Sequence, residues 1–351
     1  MMRVLSGDSP KSIALSLLLV LILFALAFAP FLFPGSRSLE TAARICIFIV
    51  LVASYDLLLG YGGIVSFAHT MFFGMGAYGV AIALDRLGTG YGALILGALA
   101  GMVVAGLVAL LIALLSLRVR AIFFAMITLA IASAVAVLVS QLSGFTGGED
   151  GMNLRIPREL TPAFRLFETE VLGQRITGRI VNYYVVFLGC LALFLIMLRI
   201  VNAPFGRVLL AIRENAFRAE AIGYRVVYYR ALATCLSAMI AALAGSLFAL
   251  WLRYVGPATT LGMEIMMDIL LIVVIGGMGT MYGAVVGTAI FVLAQNYLKT
   301  LMGGLSEATS ALPLIPDLLS PDRWLLWLGV LFILSVYFFP TGIVGRLRGT
   351  R

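Results

Sequence analysis

Histidine is nearly absent: His69 is the single one in 351 residues, beside three cysteines and only two lysines, Lys11 and Lys299. Each scarcity closes off a chemistry. One histidine and three cysteines without a CxxC leave no ligand spacing for a metal and no disulfide framework. Cys46, Cys190 and Cys235 all fall inside apolar segments and read as helix-packing residues. No second histidine exists for nucleophilic catalysis, and neither GxSxG nor HExxH occurs, so an enzyme is not expected. A P-loop is missing too: Lys11-Ser12 follows Pro10, and Lys299-Thr300 follows Leu298. If ATP drives this protein, another chain binds it, and no cofactor is expected here. Charge is equally sparse, at 11% of residues, too little for the surface of a soluble protein of this length.

What fills the chain is apolar: 62% of residues are hydrophobic and the mean hydropathy is +1.11. A membrane span needs only ~20 largely apolar residues. Ile13–Phe33, Ala42–Leu59, Tyr91–Leu117, Ala121–Leu142, Tyr183–Ile200 and Trp324–Phe339 have that character. In hydrocarbon each must close its own backbone hydrogen bonds, and no alternating pattern argues for a barrel, so an all-α polytopic membrane protein is predicted. The net charge of +8 comes from 22 arginines set at segment ends. That placement fits the positive-inside rule and not a nucleic-acid surface. Arg3, Lys11 and the run ending Ala29-Pro30 loosely mimic a secretory signal, but proline would occupy the first mature position, so an uncleaved first helix is expected.

About ten transmembrane segments are expected in a single transmembrane domain, residues 1–351, with both termini cytoplasmic. Segments at Ile64–Leu84, Ala231–Arg253, Ile265–Ile275 and Ala284–Met302 complete the set. Residues 143–182 balance five arginines against five acidic residues, as a periplasmic loop can. Residues 201–230 set Arg207, Arg213, Arg218, Arg225 and Arg230 against only Glu214 and Glu220, the most one-sided loop, hence cytoplasmic.

Two glycine-rich stretches interrupt the helices: Gly60-Tyr-Gly62-Gly63-Ile-Val-Ser66-Phe-Ala-His69, and Gly276-Gly277-Met-Gly-Thr280. Both follow an aspartate and an apolar run, a possible degenerate repeat with unequal spacing. Gly283-Ala-Val-Val-Gly287 fits close helix packing. Paired glycines break helices, and irregular backbone at membrane depth occurs inside protein or along a watery cavity, so packing and pathway lining both fit Gly62, Gly63, Gly276, Gly277, Ser66 and Thr280. Asp56, His69, Glu264 and Asp268 are ionisable residues in apolar surroundings, each insertion costing ~2.5–3.5 kcal/mol. Either they line a pathway or they sit at an interface or helix end. Positions 264 and 268 share a helix face.

Residues 206–224, GRVLLAIRENAFRAEAIGY, predict a short charged helix with Glu214 and Arg218 paired at i,i+4 and Gly223 as C-cap. Its Leu209, Leu210 and Ile212 call for a partner surface. A plain amphipathic helix on the membrane is the simpler alternative. Arg213-Glu214-Asn215, Arg218, Glu220-Ala221 and Gly223 together resemble the coupling-loop signature of branched-chain amino acid ABC-importer permeases. Leu59–His69, Thr146-Gly147-Gly148-Glu149-Asp150-Gly151, Gly276–Thr280 and Phe338–Gly342 match the same family in order, over roughly residues 51–345, with the Thr-Gly-Gly loop of its M-type subunit.

The resemblance implies a multi-pass protein of the bacterial inner membrane, paired with a second related permease as a heterodimer. Two cytoplasmic ATPases using ATP and Mg, and a periplasmic solute-binding protein, would complete the importer. Arg213, Glu214, Asn215, Arg218, Glu220, Ala221 and Gly223 would then couple to an ATPase. Asp56, Gly62, Gly63, Ser66, His69, Gly276, Gly277 and Thr280 would line the translocation pathway. Thr146, Gly147, Gly148 and Asp150 would meet the binding protein, or form a plain turn. Branched-chain or other hydrophobic amino acids are the first choice of substrate; urea, amides or small organic acids are family alternatives. A stand-alone secondary transporter or channel is the rival class, and it leaves residues 206–224 unexplained.

Overall fold

The computed structural model describes residues 12–32, 35–116, 121–165, 175–308, 320–338 and 341–347. Arg3, Lys11, Arg118, Arg120, Glu168, Glu170, Pro340, Arg348 and Arg351, which enter the topology and motif readings, lie outside the described residues. Helices run in the order α1 Ile13–Ala27, α2 Ser36–Asp56, α3 His69–Leu87, α4 Tyr91–Ser116, α5 Ala121–Gln141, α6 Gly178–Asn202, α7 Pro204–Glu214, α8 Ala216–Ala221, α9 Val226–Leu252, α10 Met263–Gly276, α11 Met281–Ala308, α12 Trp324–Phe338 and α13 Gly342–Leu347. One two-residue antiparallel pairing, β1 Met152–Asn153 with β2 Tyr254–Val255, ties the loop after α5 to the end of α9.

Each of the ten expected segments overlaps a described helix, Ile13–Phe33 with a break at Phe28. Among the described residues, seven stretches are long and apolar enough to cross a membrane: Ser36–Tyr61, Tyr91–Leu114, Ile122–Gln141, Gly178–Asn202, Val226–Leu252, Pro257–Gly276 and Met281–Leu298. α1 and α12 have 15 residues each, and the 19 of α3 include five polar or charged residues and three glycines. The chain is an all-α polytopic membrane protein. α3 also begins later than the sequence suggests, because residues 62–68 are non-helical.

Burial divides the helices by environment. The α2 span is 89% buried and forms the centre, whereas the α5 span is 11% buried and presents Ile122, Phe123, Met126 and Val137 outward. An apolar helix exposed on most faces suits lipid as solvent. α3, α4 and α9 meet through missing side chains. A Cβ on Gly76 would enter the backbone carbonyl of Ala242, one on Gly245 the carbonyl of Phe73, and one on Gly97 would stand 2.6 Å from the carbonyl of Gly79. Without a hydrophobic drive between helices in lipid, such close backbone contact is what holds them. The hydroxyl of Ser246 adds a bond to the Gly76 carbonyl at 3.1 Å.

The bundle has two distinct ends. α7 and α8 join the finish of α6 to the start of α9, defining a basic end. At the other end the start of α6 lies against the finish of α1: the Tyr184 hydroxyl donates to the Ala27 carbonyl at 3.0 Å. The first turns of α1 and α11 pack with α13 through Leu15, Val286 and Val344, close to the second glycine stretch.

Candidate functional site

At the basic end the two glycine stretches touch. α2 closes in a π-helical turn, Leu57–Tyr61, where Gly62 N–H donates to the Leu57 carbonyl five residues back. Such turns often mark functional positions in helices. The Asp56 carboxylate, 2% exposed, accepts two bonds from the Gly279 N–H, at 2.9 and 3.1 Å to its two oxygens. A Cβ on Gly60 would collide with that carboxylate and with the Gly279 nitrogen, so glycine is required for the approach. Gly277 and Gly279 have φ of +112° and +79°, the left-handed region that glycine enters without strain. Gly276 ends α10 against Gly283, and Gly287 stands 2.6 Å, at an added Cβ, from the Ile272 carbonyl, so the 283–287 spacing is a packing motif. Thr280 caps α11: its hydroxyl accepts from Gly283 N–H at 3.2 Å and donates to Gly277 O at 2.8 Å.

The non-helical segment after the first break is held from both sides. Phe67 N–H donates to the Thr128 hydroxyl of α5 at 3.0 Å, and Ser66, 1% exposed, accepts from Ala68 N–H at 3.3 Å. His69 is fully buried, with Nε2 2.8 Å from the Ser54 hydroxyl and its ring edge-on to Tyr55. Ser54 spends its one hydroxyl proton on the Leu51 carbonyl at 2.7 Å, so Nε2 donates and Nδ1 is the bare acceptor. The Ser54 carbonyl in turn accepts from Ser237 of α9 at 2.6 Å. Asp268 sits on α10 facing α2, 3.9 Å from Arg44, whose guanidinium lies over Phe48. Glu264, one turn earlier, is exposed. The Arg44 partner escaped the sequence because it lies 224 residues away in the chain.

Residues 206–224 fold as two helices, not one. Asn215 ends α7 with extended backbone and caps α8, its side chain accepting from Arg218 N–H at 2.9 Å. The break separates Glu214 from Arg218, and no ion pair joins them. α8 ends as expected: Gly223 has φ +98° and Tyr224 N–H reaches back to the Ala219 carbonyl at 3.1 Å. Leu209 is buried in the main core and Ile212 in a small one with Val208, Ala219 and Val226, so their partners are internal. Phe217, 82% exposed, and Ile222, 67% exposed, form the outward apolar face, flanked by exposed Arg218, Glu220 and Ala221. Arg213 turns inward: its Nη1 donates to the Gly60 carbonyl, and its side chain lies against Gly63, itself at φ +66°. The basic segment, the π-helical turn and the second glycine stretch are thus one junction.

At the opposite end the Thr-Gly-Gly loop is a tight turn. Thr146 is buried and donates to the Val139 carbonyl at 2.6 Å, Gly147, Gly148 and Gly151 all have positive φ, and the Asp150 carbonyl accepts from the Tyr254 hydroxyl at 2.9 Å. The Glu149 and Asp150 side chains face outward.

Residues 38–336 match the sequence model of the family described as branched-chain amino acid transport system / permease component. The chain belongs to that permease family. It is 27% identical over 297 residues to the high-affinity branched-chain amino acid transport system permease protein LivM of Salmonella typhimurium, covering 80% of this permease and 68% of that protein. The Escherichia coli LivM is 26% identical over the same extents. A probable branched-chain amino acid transport permease protein LivM of Methanocaldococcus jannaschii is 26% identical over 328 residues, 85% of this chain and 90% of that one. No solved structure matches. Family and apolar helices together make the permease a multi-pass inner membrane protein.

Proposed function

We propose that this permease forms the pore of an ATP-driven importer for branched-chain amino acids, paired with a second, related permease and served by a solute-binding protein. The reading rests chiefly on the α7–α8 segment. It offers an outward apolar face, Phe217 and Ile222, while Arg213 on its inner side holds the Gly60 carbonyl. A surface of this kind suits a docking groove, and large exposed apolar side chains ringed by charge mark interaction sites. ATPase closure on Mg-ATP would shift α7–α8; Arg213 would carry the shift to the π-helical turn, and Asp56 to Gly279.

In this scheme Asp56, Gly62, Gly63, Ser66, His69, Gly276, Gly277 and Thr280 form the shut inner gate, with the positive-φ glycines as its hinges. The basic end faces the cytoplasm and the Thr-Gly-Gly turn faces the binding protein, with Glu149 and Asp150 as contacts. The substrate class comes from what the named relatives carry. Uptake of labelled leucine into proteoliposomes, with and without candidate ATPase subunits and binding protein, tests the scheme. Uptake requires all of them, and Phe217→Asp or Glu220→Arg lowers ATP-dependent uptake at least tenfold. Uptake by this chain alone, without ATP, would overturn it.

A further inference from the structure

We propose that the end of the bundle opposite α7–α8 holds a recognition pocket for a small zwitterion of the α-amino acid type. The pocket measures about 170 Å³ and is lined by Glu40 of α2, Arg179 and Asn182 of α6, and Trp251 and Arg253 at the finish of α9. Leu160, Pro162 and Leu252 supply its apolar wall. The inference rests on the importer reading for its substrate class, while the chemistry comes from these side chains.

Three features point to a ligand. Asn182 is 3% exposed; its Nδ2 donates to the Leu250 carbonyl at 3.2 Å, which fixes the amide orientation, and its Oδ1 accepts nothing from the protein. A buried carbonyl oxygen without a donor costs about 1–3 kcal/mol, and an ammonium group supplies that donor. Secondly, one carboxylate and two guanidiniums line the same small pocket, and none of the three forms an ion pair among the described residues. A zwitterion satisfies both signs at once: carboxylate toward Arg179 and Arg253, ammonium toward Glu40 and Asn182. Arg179 is already positioned, donating to the Ser36 carbonyl at 3.2 Å and lying over the Trp251 ring. Thirdly, Arg253 is the one non-glycine described residue with positive φ, +58°, at the left-handed C-cap of α9, where glycine is the usual residue. Backbone strain retained at a charged side chain lining a pocket is characteristic of a functional site.

The left-handed backbone also supplies a clean test. Arg253→Gly removes the guanidinium and relieves the strain, so it leaves thermal stability equal or higher. Equilibrium binding of tritiated leucine to the full-length chain in nanodiscs, followed by scintillation proximity, reads the pocket. Arg253→Gly and Glu40→Gln each weaken leucine binding at least tenfold. 4-Methyl-2-oxopentanoate, which lacks the ammonium, and 3-methylbutylamine, which lacks the carboxylate, compete at least tenfold less well than leucine. Wild-type affinity in both variants overturns the pocket, and a keto acid competing as well as leucine overturns the zwitterion. Uptake in the complete importer separates the two proposals. ATP-dependent uptake that is unchanged by both variants leaves the importer standing and removes the pocket. Leucine binding that needs Arg253, with uptake that needs no ATPase, leaves the pocket and removes the importer.

Discussion

Asp56 contributes both an acceptor and a charge to the junction, and two substitutions separate them. Asp56→Asn keeps an oxygen for the half-buried Gly279 N–H, whereas Asp56→Ala removes a bond to a charged acceptor worth about 1.5–3 kcal/mol. The alanine variant is therefore expected to melt several degrees below wild type in a fluorescence-detected size-exclusion thermal series, and the asparagine variant close to it. Equal melting of the two would mean that the Gly279 contact adds nothing. Gly279→Ala combines a left-handed φ with a Cβ only 2.9 Å from the Arg213 guanidinium, so it is expected to be less stable than Asp56→Asn in the same assay.

At the scale of elements, glycine position separates contact from absence of contact. Gly76→Ala drives a methyl group into the backbone of α9 at Ala242 and must separate the two helices, whereas Gly329→Ala on α12 meets no atom within 4 Å. The first is expected to lower the melting temperature or abolish monodisperse expression, and the second to leave both unchanged within about 1 kcal/mol. The same elements show what a sequence can carry. Long apolar runs place α2, α4, α5, α6, α9 and α12 to within six residues at each end, because lipid solvent leaves a backbone few other choices. The glycine breaks and the Gly223 cap are equally legible, since each requires a backbone that glycine alone adopts easily. The break at Asn215 was open to reading from asparagine's preference for helix N-caps, but Glu214 and Arg218 suggested a continuous pair. Tertiary partners were not legible. Neither the meeting of Arg213 with Gly60, 153 residues apart, nor that of Asp56 with Gly279, 223 apart, leaves a trace in local pattern.

For the whole molecule, the two proposed sites stand or fall on opposite faces of the membrane. Asp150 and Phe217 are separated by one long described helix, α6, whose 25 residues span ~37 Å at the rise of an α-helix, enough for a ~30 Å hydrocarbon core. Under the positive-inside rule the arginine bias of residues 201–230 predicts Phe217 inside, and parity then predicts Glu149 outside. Cysteine placement tests this directly, because Cys46 and Cys190 are buried and only Cys235 needs replacing to give a quiet background. In Cys235→Ala cells, a membrane-impermeant maleimide is expected to label Glu149→Cys in intact spheroplasts, and Phe217→Cys only after the membrane is opened. Labelling of both from one side would mean that α6 does not cross. The zwitterion pocket at the start of α6 and the Arg213 junction beyond its finish would then lie on the same face, and a pathway running between them would lose its direction.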